Sequence, residues 1–212
     1  MEFIQEKIGD YSLKHTEEEP ELLAELNRET WAKVMMPRML SGHLQGRILS
    51  MFSKLIQPKN ILEIGTYTGY SALCLAEGLI NNGKLHTIDI NEEYTEIANR
   101  YFQRSLFSKN IIQYHGEAIN IIKNINQNFQ LAFIDADKQN YSTYYNLIID
   151  KLDVGGIIIA DNVLWSGKVL NDQKDEETEA LNKYNNKVMQ DKRVENILLP
   201  IRDGLMICRK IS

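Results

Sequence analysis

The sequence has little of three things that mark large classes of protein: cysteine, long apolar runs and excess positive charge. Only two of its 212 residues are cysteine, Cys74 and Cys208, and both lie in apolar stretches. Two such thiols argue against a disulfide scaffold. No apolar run reaches about 18 residues, so the sequence predicts no membrane span. The formal net charge of -5 disfavours a broad nucleic-acid surface.

A targeting signal is also lacking at the start of the sequence. Residues 1–7 have none of the basic, apolar and cleavage regions of a signal peptide. The hydrophobic fraction of 43% and the charged fraction of 25% are ordinary for a globular protein. We therefore expect a cytoplasmic protein that forms one domain over residues 1–212.

The middle of the chain alternates apolar runs with stretches of helical spacing. Strands are predicted at 60–64, 84–88, 111–114, 130–134 and 156–160, and helices at 70–79, 92–106, 118–124 and 140–151. This alternation indicates an α/β protein with a parallel sheet and helices on both faces.

The two ends of the chain depart from this rhythm. Helices are predicted at 16–36, with a capping box formed by Thr16 and Glu19, and at 42–55. Near the C-terminus, 172–178 is predicted as a loop or helix start, 180–189 as a helix, and 194–200 and 205–210 as strands. Asp203-Gly204 between these last strands is a turn signal, which implies an antiparallel pair at one sheet edge.

Two strand ends carry oxygen-bearing side chains. Asp135 follows the strand at 130–134, and Asp161 and Asn162 follow the strand at 156–160. If these strands are neighbours in a parallel sheet, the three side chains converge at its carboxyl edge, where such sheets bind ligands. Two carboxylates and an amide oxygen suit Mg²⁺ or a Ca²⁺-like ion. The alternative is that Asp161 and Asn162 only cap a turn or helix.

A glycine-containing turn follows the first strand. Gly65 and Gly69 are spaced as Glu-x-Gly-x-x-x-Gly from Glu63, which matches neither the dinucleotide nor the triphosphate signature. Asp89 ends the next strand, and an acid there suits a ribose diol. Each feature alone also fits a plain turn or a helix cap. Together they predict a nucleoside ligand without phosphates, and S-adenosylmethionine fits.

These segments, in this order, resemble the cation-dependent class I O-methyltransferases, above all the caffeoyl-CoA O-methyltransferase branch, with catechol O-methyltransferase more distant. The resemblance rests on Glu19-Pro20, Met39, Gln45-Gly46, the run from Glu63 to Ser71, Asp89-Ile90-Asn91, Asp135-Ala136-Asp137-Lys138, Asp161-Asn162, Leu164-Trp165, Pro200 and Asp203-Gly204.

The resemblance implies a fold, a methyl donor, a metal and an assembly. The fold is a Rossmann-like, doubly wound, seven-stranded, mostly parallel sheet whose last strand is antiparallel. Extra N-terminal helices within 1–57 contribute to the acceptor site and to a homodimer. The donor is S-adenosyl-L-methionine, and the cation is Mg²⁺ or another divalent ion such as Mn²⁺ or Ca²⁺.

The resemblance also assigns roles to residues. Asp135, Asp161 and Asn162 match the metal ligands, and Lys138 matches the general base; without the resemblance, Lys138 would be a surface pair with Asp137. The cofactor contacts by position are Met39, Ser41, Glu63, Gly65, Tyr67, Ser71, Asp89, Ile90, Gly116, Glu117, Ala118 and Asp135. On the acceptor side we place His43, Trp165 and Arg202; His43 has no counterpart in the plant enzymes, and Arg202 stands where those enzymes carry glycine.

The resulting hypothesis is methyl transfer to one hydroxyl of a small phenolic acceptor, a caffeoyl-like vicinal dihydroxy aromatic. One alternative is a hydroxyuridine of tRNA, with a basic groove formed by Lys33, Arg38, Arg47 and Arg202. The other alternative is a non-catalytic module that binds S-adenosylmethionine, which the intact site residues disfavour. No membrane partner is expected.

Overall fold

Seven strands and eight α-helices make up the part of the chain that the structure, a computed structural model, describes. It describes residues 5–212, so the first four residues of the predicted N-terminal segment lie outside it. The helices are α1 Glu6–Lys14, α2 Glu21–Lys33, α3 Gly42–Ile56, α4 Tyr70–Ala76, α5 Thr95–Arg104, α6 Ala118–Asn124, α7 Tyr141–Ile149 and α8 Glu176–Gln190. The strands are β1 Asn60–Ile64, β2 Lys84–Asp89, β3 Ile111–His115, β4 Phe129–Ile134, β5 Leu152–Ala160, β6 Val194–Leu199 and β7 Leu205–Lys210.

One sheet contains all seven strands in the order β3-β2-β1-β4-β5-β7-β6. The first five are parallel, whereas β7 pairs antiparallel with both β5 and β6. This confirms the predicted mostly parallel, seven-stranded sheet with its last strand antiparallel. The chain runs outward from β1 to β3 and then returns to β4 on the other side of β1. The carboxyl ends of β1 and β4 therefore flank a topological switch point, where sheets of this kind bind ligands.

A hydrophobic core lies on each face of the sheet, because neighbouring residues of a strand point to opposite faces. In β1, Leu62 packs into the core under α6, α7 and α8, and Ile61 packs into the core under α2 to α5. In β4, Ala132 and Phe133 divide between the two cores in the same way. Helices thus cover both faces, as the alternation of strands and helices predicts.

The predicted capping box is wrong. The helix begins at Glu21 with Pro20 as its N-cap residue, because the Thr16 hydroxyl belongs to the end of the preceding helix, where it donates to the carbonyl of Ser12 at 2.7 Å. Glu19 instead accepts a hydrogen bond from the Tyr70 hydroxyl at 2.5 Å. Helix α1 was not predicted from the sequence, and none of its residues is buried.

The C-terminal helix starts earlier than predicted, at Glu176. The cause is a side-chain cap, since Asp175 accepts a hydrogen bond from the backbone N–H of Thr178 at 2.8 Å. Strand β5 is longer than predicted and starts at Leu152. In the described range of 5–212, no helix combines the length and apolar character that crossing a membrane requires.

Candidate active site

A cavity of about 1190 Å³ opens at the carboxyl edge of the sheet. Sites for one small molecule usually measure ~300–1,000 Å³, so this cavity has room for two ligands. Its strand-end half follows strands β1 to β4 and includes Gly65, Tyr67, Ser71, Asp89, Ile90, Gly116, Glu117, Ala118 and Asp135. Its loop half includes Met36, Arg38, Met39, Leu40, Ser41, Lys138, Tyr144, Asn162, Trp165, Ser166, Glu177 and Arg202.

The strand-end half is built around Gly65 and Asp89. Gly65 has a φ of 104°, and a Cβ on it would stand 1.9 Å from the backbone oxygen of Asp135. Only glycine allows this close passage of β1 beside β4. The Asp89 carboxylate accepts from the backbone N–H of Tyr67 at 2.7 Å and of Asn91 at 2.9 Å. Because α5 begins only at Thr95, Asp89 is not a helix cap, and its carboxylate lines the cavity.

Glu63 lies beneath the floor of the cavity and does not line it. It is fully buried, and the Thr87 hydroxyl donates to its Oε2 at 2.6 Å, whereas its Oε1 has no hydrogen-bond partner. Burial, together with the negative charges of Asp135 and Asp89, raises the pKa of Glu63 to about 8. The predicted cofactor contact is therefore a buried acid that supports the floor from below.

The oxygen-bearing side chains at the ends of β4 and β5 come together as predicted, because Ile134 and Ala160 are register partners. We call Asp135, Asp161 and Asn162 the oxygen cluster. Asp161 is buried; its Oδ2 accepts from Gln45 Nε2 at 2.6 Å and its Oδ1 from the N–H of Asn162 at 2.7 Å. Burial, and secondly the negative charge of Asp135, raise the pKa of Asp161 to about 6.

Lys138 is buried against the oxygen cluster rather than paired with Asp137 at the surface. Its Nζ donates to Asn162 Oδ1 at 2.9 Å and lies 3.3 Å from Asp135 Oδ1. It also donates to the Tyr141 hydroxyl at 2.7 Å and lies 5.6 Å from the centre of the Trp165 ring. One amine is thus held by four side chains of the site.

The chemistry of the oxygen cluster fits a divalent cation. Among residues 5–212 no group of three or more His, Cys, Asp or Glu side chains is placed to hold a metal, so a cation here needs the amide oxygen of Asn162. An all-oxygen donor set suits Mg²⁺ or Ca²⁺. The buried Oε1 of Gln45 has no partner, and the two carboxylates repel each other. A positive charge would stabilise all of these groups.

The loop half contains most of the strained backbone. Seven non-glycine residues between 5 and 212 have positive φ, and five of them line the cavity: Tyr67, Asn162, Trp165, Ser166 and Arg202. Such conformations persist only where the surrounding structure fixes them, and they concentrate at functional sites. The indole N–H of Trp165 is also buried and has no hydrogen-bond partner among the described residues.

Most of the predicted site residues line the cavity, and two do not. The cofactor and acceptor residues that line it are Met39, Ser41, Gly65, Tyr67, Ser71, Asp89, Ile90, Gly116, Glu117, Ala118, Asp135, Trp165 and Arg202. Glu63 lies beneath the floor. His43 lies outside the lining, and its Nε2 pairs with the backbone oxygen of Glu17 at 2.7 Å, so it fastens the N-terminal segment to α3.

Three side chains of the site received no role from the sequence. Gln45 was noted as part of the resemblance, but its bond to Asp161 joins residues 116 positions apart. Tyr141 and Tyr144 were interpreted as helix packing or dimer contacts, yet they donate to the Asp161 carbonyl and to Asp137 respectively. The signal that was available is their spacing, which places Tyr141 one turn after Lys138.

The four basic residues of the predicted groove do not form one surface. Arg47 is buried and pairs with Glu77 at 2.6 Å, and Lys33 pairs with Glu29 at 2.9 Å on the exposed side of α2. Only Arg38 and Arg202 line the cavity. The basic groove expected for a tRNA acceptor therefore has two of its four candidates engaged elsewhere.

Comparison with known proteins agrees with this geometry. Residues 13–211 match the family described as O-methyltransferase. Caffeoyl-CoA O-methyltransferase 2 of Eucalyptus globulus is 36% identical over 92% of this chain and 83% of its own length. An SAH-bound methyltransferase of Podospora anserina has a TM-score of 0.89 at 28% identity, covering 99% of this chain and 97% of its own. An O-methyltransferase of Bacillus cereus in complex with SAH has a TM-score of 0.89 at 26% identity, covering 96% and 97%. This chain belongs to the O-methyltransferase family, and it is an enzyme that transfers a methyl group to an oxygen atom.

Proposed function

We propose that this enzyme transfers the methyl group of S-adenosylmethionine to one hydroxyl of a catechol-type acceptor, a caffeoyl-like vicinal dihydroxy aromatic, with a divalent cation at the oxygen cluster. One observation carries the proposal: Asp135 and Asn162 share contacts with the buried amine of Lys138 at the edge of a two-ligand cavity. The arrangement brings an acceptor oxygen, a cation and a base to one place.

The strand-end half suits the methyl donor. Asp89 ends β2 with its carboxylate on the cavity wall, where it can accept hydrogen bonds from a ribose diol. Ile90 and Ala118 offer apolar surface for a purine ring beside it. The solved relatives from Podospora anserina and Bacillus cereus are described with SAH, which is what remains of S-adenosylmethionine after methyl transfer.

The oxygen cluster and Lys138 suit the acceptor. A phenolic hydroxyl has a pKa near ~10, like that of tyrosine, so it is protonated at neutral pH. A bound Mg²⁺ supplies Lewis acidity, which favours the phenolate. We assign Lys138, whose Nζ lies against the oxygen cluster, as the general base that takes up the hydroxyl proton. The acceptor oxygen then forms a bond to the methyl carbon as the carbon–sulfur bond breaks, which leaves the methyl ether and S-adenosylhomocysteine.

The neighbours of Lys138 position its amine for this step. The Tyr141 hydroxyl accepts from Nζ at 2.7 Å and donates to the Asp161 carbonyl at 3.0 Å, which ties the amine to the end of β5. The Trp165 ring covers the other side at 5.6 Å and limits access of water. Fixed positioning of reacting groups is worth up to ~7–11 kcal/mol in model reactions.

The test is a methyl-release assay over catechols, caffeoyl esters and tRNA, with Mg²⁺ and with EDTA. We expect Mg²⁺-dependent methylation of a catechol and, because metal-assisted activation is worth several kcal/mol, about a thousand-fold loss in Asp161→Ala. Asp172→Ala, which removes an exposed acid outside the cavity lining, is the matched control. Full activity of Asp161→Ala in EDTA would refute the metal-dependent mechanism.

The same assay separates the alternatives. Methylation of tRNA but of no catechol would favour the hydroxyuridine acceptor. Donor binding by calorimetry without turnover of any acceptor would favour the non-catalytic module. Two observations support the catechol reaction over both alternatives. Lys33 and Arg47 form salt bridges with Glu29 and Glu77 instead of lining the cavity, and the chain belongs to the O-methyltransferase family.

We also propose that the protein is a homodimer and is located in the cytoplasm. Both proposals come from the sequence. Large apolar side chains are exposed on and after α2, including Trp31 at 58% and Met35 at 85%, which is compatible with a self-association surface. Light scattering during size-exclusion chromatography measures the mass, and a single-chain mass at micromolar concentration would contradict the dimer.

A further inference from the structure

Arg202 occupies a backbone position that suits glycine. Its φ of 51° lies in the left-handed region, where a residue with a Cβ is strained and glycine is not. The turn is held in place because Asp203 accepts from the N–H of Leu164 at 2.9 Å and Ser166 at 2.5 Å. A bulky residue kept at a strained position points to a use for its side chain.

The side chain of Arg202 reaches the loop half of the cavity beside the start of α3. Nη1 and Nη2 both donate to the carbonyl of Leu40, at 3.2 and 3.3 Å. Nη1 also lies 3.6 Å from the place where a Cβ on Gly42 would stand. Gln45, which bonds to Asp161, is one helical turn further along α3, a rise of about 4.5 Å. The positive charge of the guanidinium also offsets part of the rise in the pKa of Asp161, so it lies near the oxygen cluster.

Among residues 5–212 the guanidinium has no salt-bridge partner, although its positive charge acts at longer range on the Asp161 carboxylate. In the described part of the chain, no Asp or Glu oxygen lies within 4.0 Å of Arg202. Five of the eight arginines do have such a partner: Arg47, Arg100, Arg104, Arg193 and Arg209. The bonds to Leu40 use one N–H of each terminal nitrogen, which leaves Nε–H and the outer N–H groups for a second, side-on contact.

Three carboxylates line the loop side of the cavity: Asp137, Asp161 and Glu177. None lies within 4.0 Å of Arg202, and the oxygens of Asp161 accept from Gln45 and from the N–H of Asn162. Asp137 accepts hydrogen bonds from Tyr144 and Asn140, and Glu177 lies in the first turn of α8. The side-on edge of the guanidinium thus remains available to a ligand in the cavity.

We propose that Arg202 is a specificity-determining residue that binds a carboxylate carried by the methyl acceptor. This inference rests on the proposed function and narrows its substrate class to catechol acids. A guanidinium pairs with a carboxylate through two parallel N–H···O bonds, a geometry that lysine does not reproduce. Because Arg202 and the oxygen cluster line the same cavity, it favours a carboxylate a few bonds from the ring over the distant phosphates of a CoA thioester.

The kinetic test compares 3,4-dihydroxybenzoate with neutral 3,4-dihydroxybenzaldehyde. Arg202→Gly removes the charge and also the backbone strain, so it is expected to fold. We expect the ratio of kcat/KM for the acid over the aldehyde to fall about tenfold or more, mainly through KM, because hydrogen bonds to charged groups have this strength. Arg202→Lys should recover only part of the ratio.

Arg38→Gln is the matched control, since it removes one positive charge from the same half of the cavity. We expect its ratio to change less than about twofold, as for an exposed charge. An unchanged ratio in Arg202→Gly, or an equal fall in Arg38→Gln, would overturn the assignment to Arg202. A larger loss for caffeoyl-CoA than for free caffeate in Arg202→Gly would assign the residue to phosphate instead.

A binding measurement separates this inference from the proposed function. 3,4-Dihydroxybenzoate is titrated calorimetrically into the S-adenosylhomocysteine complex of wild type and of Arg202→Gly, with Mg²⁺ present. If no catechol is methylated but the acid binds about tenfold more weakly to the variant, the reaction assignment fails and the carboxylate site stands. If catechols are methylated but both proteins bind the acid equally, only the carboxylate site fails.

Discussion

The two halves of the cavity are built in different ways. The strand-end half comes from short turns that follow adjacent parallel strands, and its members are placed by the sheet register itself. The loop half comes from segments that are far apart in sequence, near residues 36–41, 138–144, 165–166, 177 and 202. Four of the five strained non-glycine residues of the cavity follow β5 or precede β7, on the loop half.

This difference separates two requirements of a transferase. A donor common to many enzymes needs a site that changes little, and a sheet edge provides it. An acceptor that differs between enzymes needs a site that can vary without disturbing the sheet, and loops provide it.

The largest expected effect comes from a substitution that disrupts the strand-end half of the cavity. Gly65→Ala should destabilise the fold by more than about 3 kcal/mol and abolish donor binding, because its Cβ would stand 1.9 Å from the Asp135 oxygen. Gly155→Ala is the matched control: it has a φ of 87°, but nothing lies within 4 Å of its Cβ position. Chemical denaturation and donor calorimetry measure both. Equal losses of stability in the two variants would mean that backbone strain at positive φ, rather than the contact with the Asp135 oxygen, causes the destabilisation.

The second effect separates chemistry from donor binding. Lys138→Met should lower kcat by about 10²–10⁴-fold, the usual worth of a general base, while the strand-end half still binds the donor. Lys168→Met is the control, because Lys168 also lies near the Trp165 ring, at 5.7 Å, but does not line the cavity. Single-turnover rates and donor calorimetry are the measurements. Wild-type turnover by Lys138→Met would remove Lys138 from the mechanism.

The third effect concerns the acid beneath the strand-end half. The pKa of Glu63 is about 8 in the folded protein against 4.5 for the free side chain, so the folded state binds its proton more tightly. Its contribution to stability is complete below about pH 4.5 and is lost as the pH rises through about 8. Without donor, the free energy of unfolding should therefore fall across this range by on the order of a few kcal/mol more in wild type than in Glu63→Gln.

Urea titrations from roughly pH 4 to roughly pH 9 measure this difference, because they span the expected window between about 4.5 and about 8. Glu195→Gln, which alters an exposed acid paired with Arg209, is the control and should follow the wild-type curve. Parallel curves for wild type and Glu63→Gln would show that Glu63 does not titrate in this range.

The smallest expected effect comes from removing one hydrogen bond that joins the two halves of the cavity. Tyr67→Phe removes the hydrogen bond from the tyrosine hydroxyl to the Met36 carbonyl at 2.9 Å but keeps the backbone bond to Asp89. A bond of this kind is worth ~1 kcal/mol, so the acceptor KM should rise up to about fivefold. Tyr114→Phe removes a comparable 2.9 Å contact, to His86, outside the cavity. Equal KM values for all three proteins would contradict a role for this bond.

The sequence predicted the residues at strand ends better than it predicted contacts that depend on how helices and loops pack. Asp135 and Asp161 could be placed together from sequence because strand ends of a parallel sheet meet at one edge. Gln45 could not, because its contact with Asp161 depends on how α3 packs over the sheet. His43 was assigned to the acceptor side, yet its ring bonds to the Glu17 carbonyl. Helix α1 was not predicted, and none of its residues is buried.

The insertion of β7 between β5 and β6 has a consequence for how the enzyme is made. A ribosome delivers the chain from its N-terminus, and folding can follow that order. Every strand that shapes the strand-end half is available once residue 135 has emerged, whereas the Arg202 turn and the strand that anchors it are among the last residues synthesised. The strands that shape the donor half of the cavity are therefore synthesised well before the turn that brings Arg202 to the loop half.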